Sequence, residues 1–448
     1  MPLEVKLANA IHDQEASHLW ILAVIHESSK EAMKTLHEVR KIRLISPKFA
    51  QQFKCLGEAC PEDCCTGWTV DVDGKTFDFY KKAQHAKLRD RFESMVVAHD
   101  PKQKSHSRGT ILKASGGTAC CFLEEKLCSI QKTLGPDKLS NTCSSFPRGL
   151  FKIEDQVEMF FTLACPEVAR LALLDRNAFE FEENVHAVRT QTVAVIGGPN
   201  PSQTKIANRI RIFAINLFKN LERPTWEKLA ILGVVCEQIS TNIAESQLKE
   251  TNVDAILSSI DQLIEKGYVS AILADVKPQP RLQAEAFALL LDVIPNKPLN
   301  DVAKQRLDNA KLGLGLKTHD QPICVDLLAD RYETGIRNLE QVLSNNQWFL
   351  DHAVISDILW NKFPLHHASP YQGFVGITTR FGIVRLLLAG TCCHDPNVTV
   401  DELAQVVQTF TRHYQHNSNF RLNLDGILER SGWLSLERQF LFLRASTC

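Results

Sequence analysis

Apolar positions recur at helical spacing through most of the second half of the chain. Ile206, Ile210, Phe213, Leu217 and Leu221 follow at intervals of three or four; Leu229, Leu232, Cys236 and Ile239 repeat the stripe, and Val253, Ile256, Ile260 and Leu263 repeat it again before Gly267. Three amphipathic helices in succession imply helix-on-helix packing. Pro278-Gln279-Pro280 interrupts the run, and further helices are expected from Gln283 to Val293, Arg331 to Leu343 and Phe381 to Leu388. The opening forty-odd residues also read as a helix, with Leu19, Leu22, Ile25, Met33, Leu36 and Val39 at helical spacing.

Between these helical stretches the period shortens. Trp68, Val70 and Val72 alternate with polar neighbours, predicting a strand that ends in an Asp73-Gly74 turn, with Asp71 and Asp73 facing solvent. Leu150–Ile153 and Val157–Ala164 flank Glu154-Asp155 and predict a hairpin, which delivers Cys165 to the start of a helix opened by Pro166. The fold class expected is α+β, mainly α. Its parts are an N-terminal helical extension (1–43), a small cysteine-rich metal-binding domain with short strands (44–185) and a larger helical domain (186–448).

Charge and composition narrow the function. Lys and Arg total 51 against 52 Asp and Glu, so no basic excess points to nucleic acid. No uninterrupted apolar run of about 18 residues predicts a bilayer span. Leu19 to Ile25 follows Glu4, Asp13 and Glu15 instead of the basic leader of an export signal, which predicts a cytoplasmic protein. Thiols in that compartment are more often metal ligands or catalytic groups than disulfides. Of the 14 cysteines, Cys55, Cys60, Cys64, Cys65, Cys120, Cys121, Cys128 and Cys143 crowd one stretch, with Cys165 close behind. Such clustering is the main chemical signal in the chain.

Thiolates are soft anionic donors suited to iron and zinc. No Cys-x-x-Cys knuckle of a structural zinc site occurs, so the dispersed pattern favours an iron–sulfur core over zinc. Cys60 and Cys64 begin a radical-type Cys-x-x-x-Cys-x-x-Cys triplet, but Gly67 stands where the third thiol would be. Vicinal Cys64 and Cys65, if extended, point to opposite faces. Cys236, Cys324, Cys392, Cys393 and Cys448 read as ordinary thiols, and His366-His367, His413 and His416 as surface or core histidines. Val195-Ile196-Gly197-Gly198-Pro199 lacks the Gly-x-Gly-x-x-Gly spacing of a dinucleotide loop and reads as a turn.

The segment Phe53-Lys54-Cys55-Leu56-Gly57-Glu58-Ala59-Cys60-Pro61-Glu62-Asp63-Cys64-Cys65-Thr66-Gly67-Trp68, with Asp73 and Tyr80 beyond it, resembles the opening motif of the flagellin lysine N-methylase family. Three later blocks agree in order: Cys120-Cys121-Phe122-Leu123 with Leu127-Cys128-Ser129-Ile130, Leu139-Ser140-Asn141-Thr142-Cys143 running to Phe146-Pro147-Arg148, and Leu163-Ala164-Cys165-Pro166-Glu167-Val168-Ala169-Arg170. The resemblance implies methyl transfer from S-adenosylmethionine to flagellin lysines. It also implies an iron–sulfur cluster, of the 4Fe-4S type, bound in the cysteine-rich region. Cys55, Cys60, Cys64, Cys65, Cys120, Cys128, Cys143 and Cys165 carry over as metal ligands; Cys121, where the family more commonly has proline, does not. The long lead before Arg43 is atypical, and past residue 185 the likeness rests on short stretches such as Asn361-Lys362-Phe363-Pro364 and Arg412-His413-Tyr414-Gln415-His416-Asn417. A related family of zinc- or iron-chelating cysteine-cluster proteins shares the cysteine blocks. A metal carrier, a metal-dependent binding module or a redox sensor is therefore the alternative to an enzyme.

Overall fold

The structure is a computed structural model that describes residues 35–445, apart from 101, 103–106, 199, 245–249, 292–299, 317–321 and 416–418. Most of the helix expected at the start of the chain, together with His416, Asn417 and Cys448, lies outside the described residues. Within them, ten strands form three sheets: β1 (Val39–Pro47), β2 (Val70–Val72), β3 (Val96–Ala98), β4 (Gly109–Ile111), β5 (Leu123–Glu124), β6 (Leu127–Cys128), β7 (Arg148–Ile153), β8 (Gln156–Phe161), β9 (Phe181–Arg189) and β10 (Val193–Ile196). Val39, expected on the first helix, instead begins β1. The run from Val39 to Ile45 mixes β-branched residues with charged ones, and β9 pairs with it residue for residue, so tertiary pairing overrides the helical spacing.

The largest sheet has the order β10-β7-β8-β1-β9, with β7 and β8 forming the expected hairpin around Glu154, whose φ of 53° is suited to a tight hairpin turn. Register divides the hairpin into two faces. Phe151 and Glu158 are paired, as are Gly149 and Phe160, and this face meets the helices: Phe151 lies edge-on to Trp360, and the Arg211 guanidinium lies 5.2 Å from the centre of the Phe160 ring while pairing with Glu158. Arg148, Leu150, Met159 and Phe161 occupy the other face, turned toward the cysteine-rich region.

The helices expected from the three stripes are Pro201–Lys219, Thr225–Ala244 and Glu250–Glu265, and those expected further on run Pro280–Leu290, Val325–Val342 and Pro370–His394. Helices at Asp301–Gly313, Phe349–Trp360, Val400–Gln415, Phe420–Arg430 and Leu436–Leu443 join them. Pro370–His394 is the axle of the bundle. By length and composition it is apolar enough to cross a membrane, which inspection for an unbroken apolar run missed, because Arg380 and Arg385 interrupt it; its apolar window is 94% buried inside the protein. Arg385 is held by the carbonyls of Phe442 and Leu443. Two neighbours approach this axle backbone to backbone. A Cβ on Gly335 would lie 2.1 Å from the Ala389 carbonyl and one on Gly313 1.9 Å from that of Gly390, so only glycine fits there.

Two hydrophobic cores result. One joins the five-stranded sheet, from Leu44 through Phe161, to the whole helical bundle; the other is a small cluster around Val70, Phe77, Tyr80, Phe92, Phe122 and Ile130 within the cysteine-rich region. The chain divisions at 43/44 and 185/186 therefore fall inside β1 and β9, two paired strands of one sheet. Asp73, expected in a solvent-facing turn, is instead the N-cap of a helix, Gly74–Lys82: its carboxylate accepts from Thr76 N at 3.0 Å and Asn141 N at 2.9 Å. Asp71 is exposed as expected.

His352 ties the helix after Cys165 to the bundle. Its ring is 4.9 Å from that of Phe179, and Nδ1 lies 2.8 Å from the Ala172 carbonyl. Burial lowers its pKa to about 4. A base depressed in the fold withholds stability once the unfolded chain can bind the proton, so this contribution is intact above pH ~6.5 and lost between there and pH ~4. Unfolding free energy measured in urea is expected to fall over that window by up to about 3 kcal/mol from this residue. The decline should shrink in His352→Asn.

Candidate metal centre

The loop carrying the first four cysteines is shaped by its own side chains. Asp63 Oδ1 accepts from Cys65 N at 2.9 Å and Thr66 Oγ1 at 2.7 Å, and Trp68 Nε1 donates to the Cys64 carbonyl at 2.7 Å. These bonds wind residues 63–66 into a tight turn. Cys64 and Cys65 therefore line the same cavity, instead of pointing to opposite faces as an extended segment would place them.

The later cysteines arrive on separate elements. Cys120 N donates to the Cys65 carbonyl at 2.7 Å, which pins the second block directly to the first. Cys128 ends β6, opposite Leu123 across a two-stranded hairpin. Cys143 sits on a single helical turn, Asn141–Ser145, whose N-cap Ser140 accepts from Cys143 N at 3.3 Å. That turn is held from two sides: Asp73 takes Asn141 N, and Arg189 of β9 donates to the Leu139 carbonyl at 2.9 Å, Asp137 carbonyl at 3.0 Å and Asn141 side chain at 3.2 Å. Cys165 is the residue before the Pro166–Leu174 helix, in a turn where Ala164 N donates to Thr162 Oγ1 at 3.0 Å.

Five of the eight expected ligands, Cys64, Cys65, Cys120, Cys128 and Cys143, line one cavity of about 50 Å³, closed by Trp68, Tyr80, Phe122 and Phe146. Cys55, Cys60 and Cys165 lie outside it. Electrostatic influence nonetheless links both groups: Cys128 and Cys143 feel the charge of Cys64 and Cys120, while Cys60 and Cys165 feel that of Cys64. Cys64 stands between two neighbourhoods. The neighbouring Cys65 thiol holds its pKa down at about 7, and that of Cys65 is raised in return; Cys121 lowers Cys120 in the same way. Burial pushes Cys143 and Cys165 up to about 12. Cys121 packs against the small core and is absent from the cavity wall. Among the described residues, no three Cys, His, Asp or Glu side chains converge tightly enough to form a finished metal cage.

What seats this lobe on the bundle is a buried carboxylate. Glu62, 4% exposed, accepts from Arg412 at 3.0 Å, from Arg306 and from Asn300 at 3.3 Å. Arg412 also donates to the Thr66 carbonyl at 2.7 Å, gripping both ends of the cysteine turn. The same Val400–Gln415 helix reaches the Cys165 turn, where Gln408 donates to the Ala164 carbonyl at 3.0 Å and Gln415 accepts from Thr162 at 2.5 Å. His413 beside it is a core histidine, lowered to about 4 by burial and Arg412. None of Glu62, Arg306 or Arg412 was legible as a site residue. Arg412-His413 stood only in a stretch of family likeness, and the partner of Glu62 is 350 residues away in sequence.

Comparison with known proteins bears on this arrangement. The family model of the FliB lysine N-methylase C-terminal domain matches residues 211–442, more than half of the chain. The chain belongs to the FliB lysine N-methylase family. It is 24% identical over 395 residues to a lysine-N-methylase of Salmonella typhimurium, covering 87% of this chain and 96% of that protein, and equally to one from Salmonella choleraesuis. A flagellar biosynthetic protein FliU of Salmonella muenchen is 34% identical over 145 residues, 32% of this chain and 85% of its own length. No solved structure matches. The family match covers the arginines that grip the cysteine turn: Arg306 and Arg412 both lie within it.

Removing the carboxylate would leave two buried or half-buried guanidinium groups unpaired. Glu62→Ala is expected to cost about 3–5 kcal/mol in urea unfolding. It should also speed the reaction of Cys60 and Cys64 with a thiol reagent under native conditions.

Proposed function

We propose that this chain is a protein-lysine N-methyltransferase of the flagellar system. It takes the methyl group from S-adenosylmethionine and uses its cysteine lobe to hold an iron–sulfur cluster of the 4Fe-4S type. The observation that carries the reading is the convergence of five thiols from four separate segments on one cavity, in a chain whose family and full-length relatives are named for lysine methylation. Flagellin as the acceptor follows from the flagellar name of the third relative.

The donor set fits a thiolate-ligated cluster. Cys64 and Cys120 are the thiols whose ionised forms the fold favours, whereas Cys128 and Cys143 are held neutral by burial until a metal displaces their protons. Cys64, Cys65, Cys120, Cys128 and Cys143 are the candidate ligands inside the cavity, and Cys55, Cys60 and Cys165 the candidates beside it. A bound cluster would supply soft-metal structural anchoring or an open iron position.

Methyl transfer itself needs no electron. The lone pair of a neutral lysine amine forms the new N–C bond while the S–C bond breaks, its electron pair staying on sulfur, and the amine then sheds one proton to solvent or a base. Positioning and desolvation of the amine supply much of the acceleration such a displacement requires.

Incubating the anaerobically purified protein with flagellin and methyl-labelled S-adenosylmethionine is expected to place label on lysine side chains. Iron and sulfide analysis should detect a cluster in the wild-type protein, lost in Cys143→Ser and retained in Cys121→Ser. Label transfer without iron would remove the cluster from the reading, and iron without label transfer would favour a metal-dependent binding module.

A further inference from the structure

A second, larger cavity lies on the far side of the Cys143 turn. It is a cleft of about 430 Å³ between that turn and the sheet face that carries Arg148, Leu150 and Met159, with His186 and Arg189 of β9 closing its edge. Its size falls in the roughly 300–1,000 Å³ typical of small-molecule sites. The single helical turn Asn141–Ser145 is a shared wall, because Cys143 lines the thiol cavity while Ser144 and Ser145 line the cleft.

Arg148 is the unusual group here. Its guanidinium sits 5.1 Å from the centre of the Phe53 ring and 5.9 Å from that of Phe161, largely withdrawn from solvent, and burial lowers its pKa. Among the described residues it makes no hydrogen bond and no ion pair, although a guanidinium carries five donors. The buried arginines Arg211, Arg189 and Arg412 all hold protein acceptors: Arg211 pairs with Glu158, Arg189 reaches four acceptors, and Arg412 holds Glu62 and a carbonyl. Ionisation of Cys55 or Cys165, two of the expected ligands outside the thiol cavity, would favour the Arg148 charge, which in turn lowers the pKa of His186. His186, also on the cleft, has a buried Nε2 without a hydrogen-bond partner. A planar cation backed by aromatic faces and without a protein acceptor thus borders the cleft, with the His186 ring beside it.

We propose that this cleft seats the amino-acid end of the sulfonium methyl donor, with Arg148 clamping its carboxylate. The inference rests on the methyl-donor reading above and adds the location and the recognising residues. A carboxylate is the ligand group that a guanidinium fork matches bidentately, and aromatic backing leaves that fork free for it.

Binding of radiolabelled S-adenosylmethionine and of its decarboxylated analogue to the full-length protein, measured by equilibrium dialysis, tests the assignment. Arg148→Met is expected to weaken S-adenosylmethionine binding roughly ten- to hundredfold while changing the affinity for the decarboxylated analogue little. Arg148→Lys should fall between, and iron content should stay at the wild-type level. If Arg148→Met binds S-adenosylmethionine as tightly as the wild type, or loses both ligands equally, the seat is wrong although the donor reading stands. Loss of iron in Arg148→Met would instead assign the guanidinium to balancing the thiolates and overturn the clamp. If the wild-type protein binds no S-adenosylmethionine, the donor reading fails and takes this inference with it.

Discussion

The buried Glu62 carboxylate and its two arginines fix how the two halves of this protein meet. The cysteine-rich lobe has a core of its own, but a small one, and the loop carrying Cys55 through Cys65 has almost no regular structure. Left to itself such a loop would sample many conformations, and ordering each residue costs on the order of 1–2 kcal/mol. Arg306 and Arg412 remove that freedom by reaching from two different helices to one carboxylate in the middle of the motif. The burial that makes the interaction costly to assemble also makes it unforgiving, since neither charge has an alternative partner of equal quality.

The Val400–Gln415 helix carries this grip to the other end of the cysteine set. Arg412 holds the turn before Trp68, and Gln408 and Gln415, four residues before it and three after, hold the turn that presents Cys165. Segments a hundred residues apart in sequence are therefore positioned by one rigid rod. That rod in turn packs against the axle helix Pro370–His394 and the Pro166–Leu174 helix, so the geometry of the thiols is referred to the centre of the bundle. The large helical half is, on this view, part of the cysteine site rather than a separate module attached to it.

Much of the helical architecture was legible because amphipathic stripes are a local signal. The stripes from Ile206 to Leu263 and the Pro166 helix appear within a few residues of where spacing puts them. Helices buried on all sides were harder to see: Phe349–Trp360 and the first half of Pro370–His394 are apolar around their circumference, so no stripe stands out. Val39 was misread because a short stretch fits both periods until its partner strand is known. The cysteines announced themselves by type and clustering, and the cavity gathers Cys64, Cys65, Cys120, Cys128 and Cys143. Glu62, Arg148, Arg189 and Arg412 did not, because a charged residue in sequence reads as solvated surface until its burial is known.

The vicinal pairs show how local hydrogen bonding decides what such a cluster of thiols can do. Two adjacent thiols on an extended strand would be chemically independent, but the Asp63 turn brings Cys64 and Cys65 to one cavity, where the ionisation of one is coupled to that of the other. Cys121 does the same for Cys120 from outside the cavity. Each pair thus has one sulfur shifted toward ionisation and one shifted away from it, and the two shifted toward it both line the cavity. Ionisation of Cys64 and Cys120 opposes that of Cys128 and Cys143, so negative charge cannot accumulate freely among these thiols, and a cation among them would reverse the sign of that interaction. Cys121 accordingly bears on the ionisation of its neighbour Cys120 from outside the cavity, although it stands where the family more commonly has a proline.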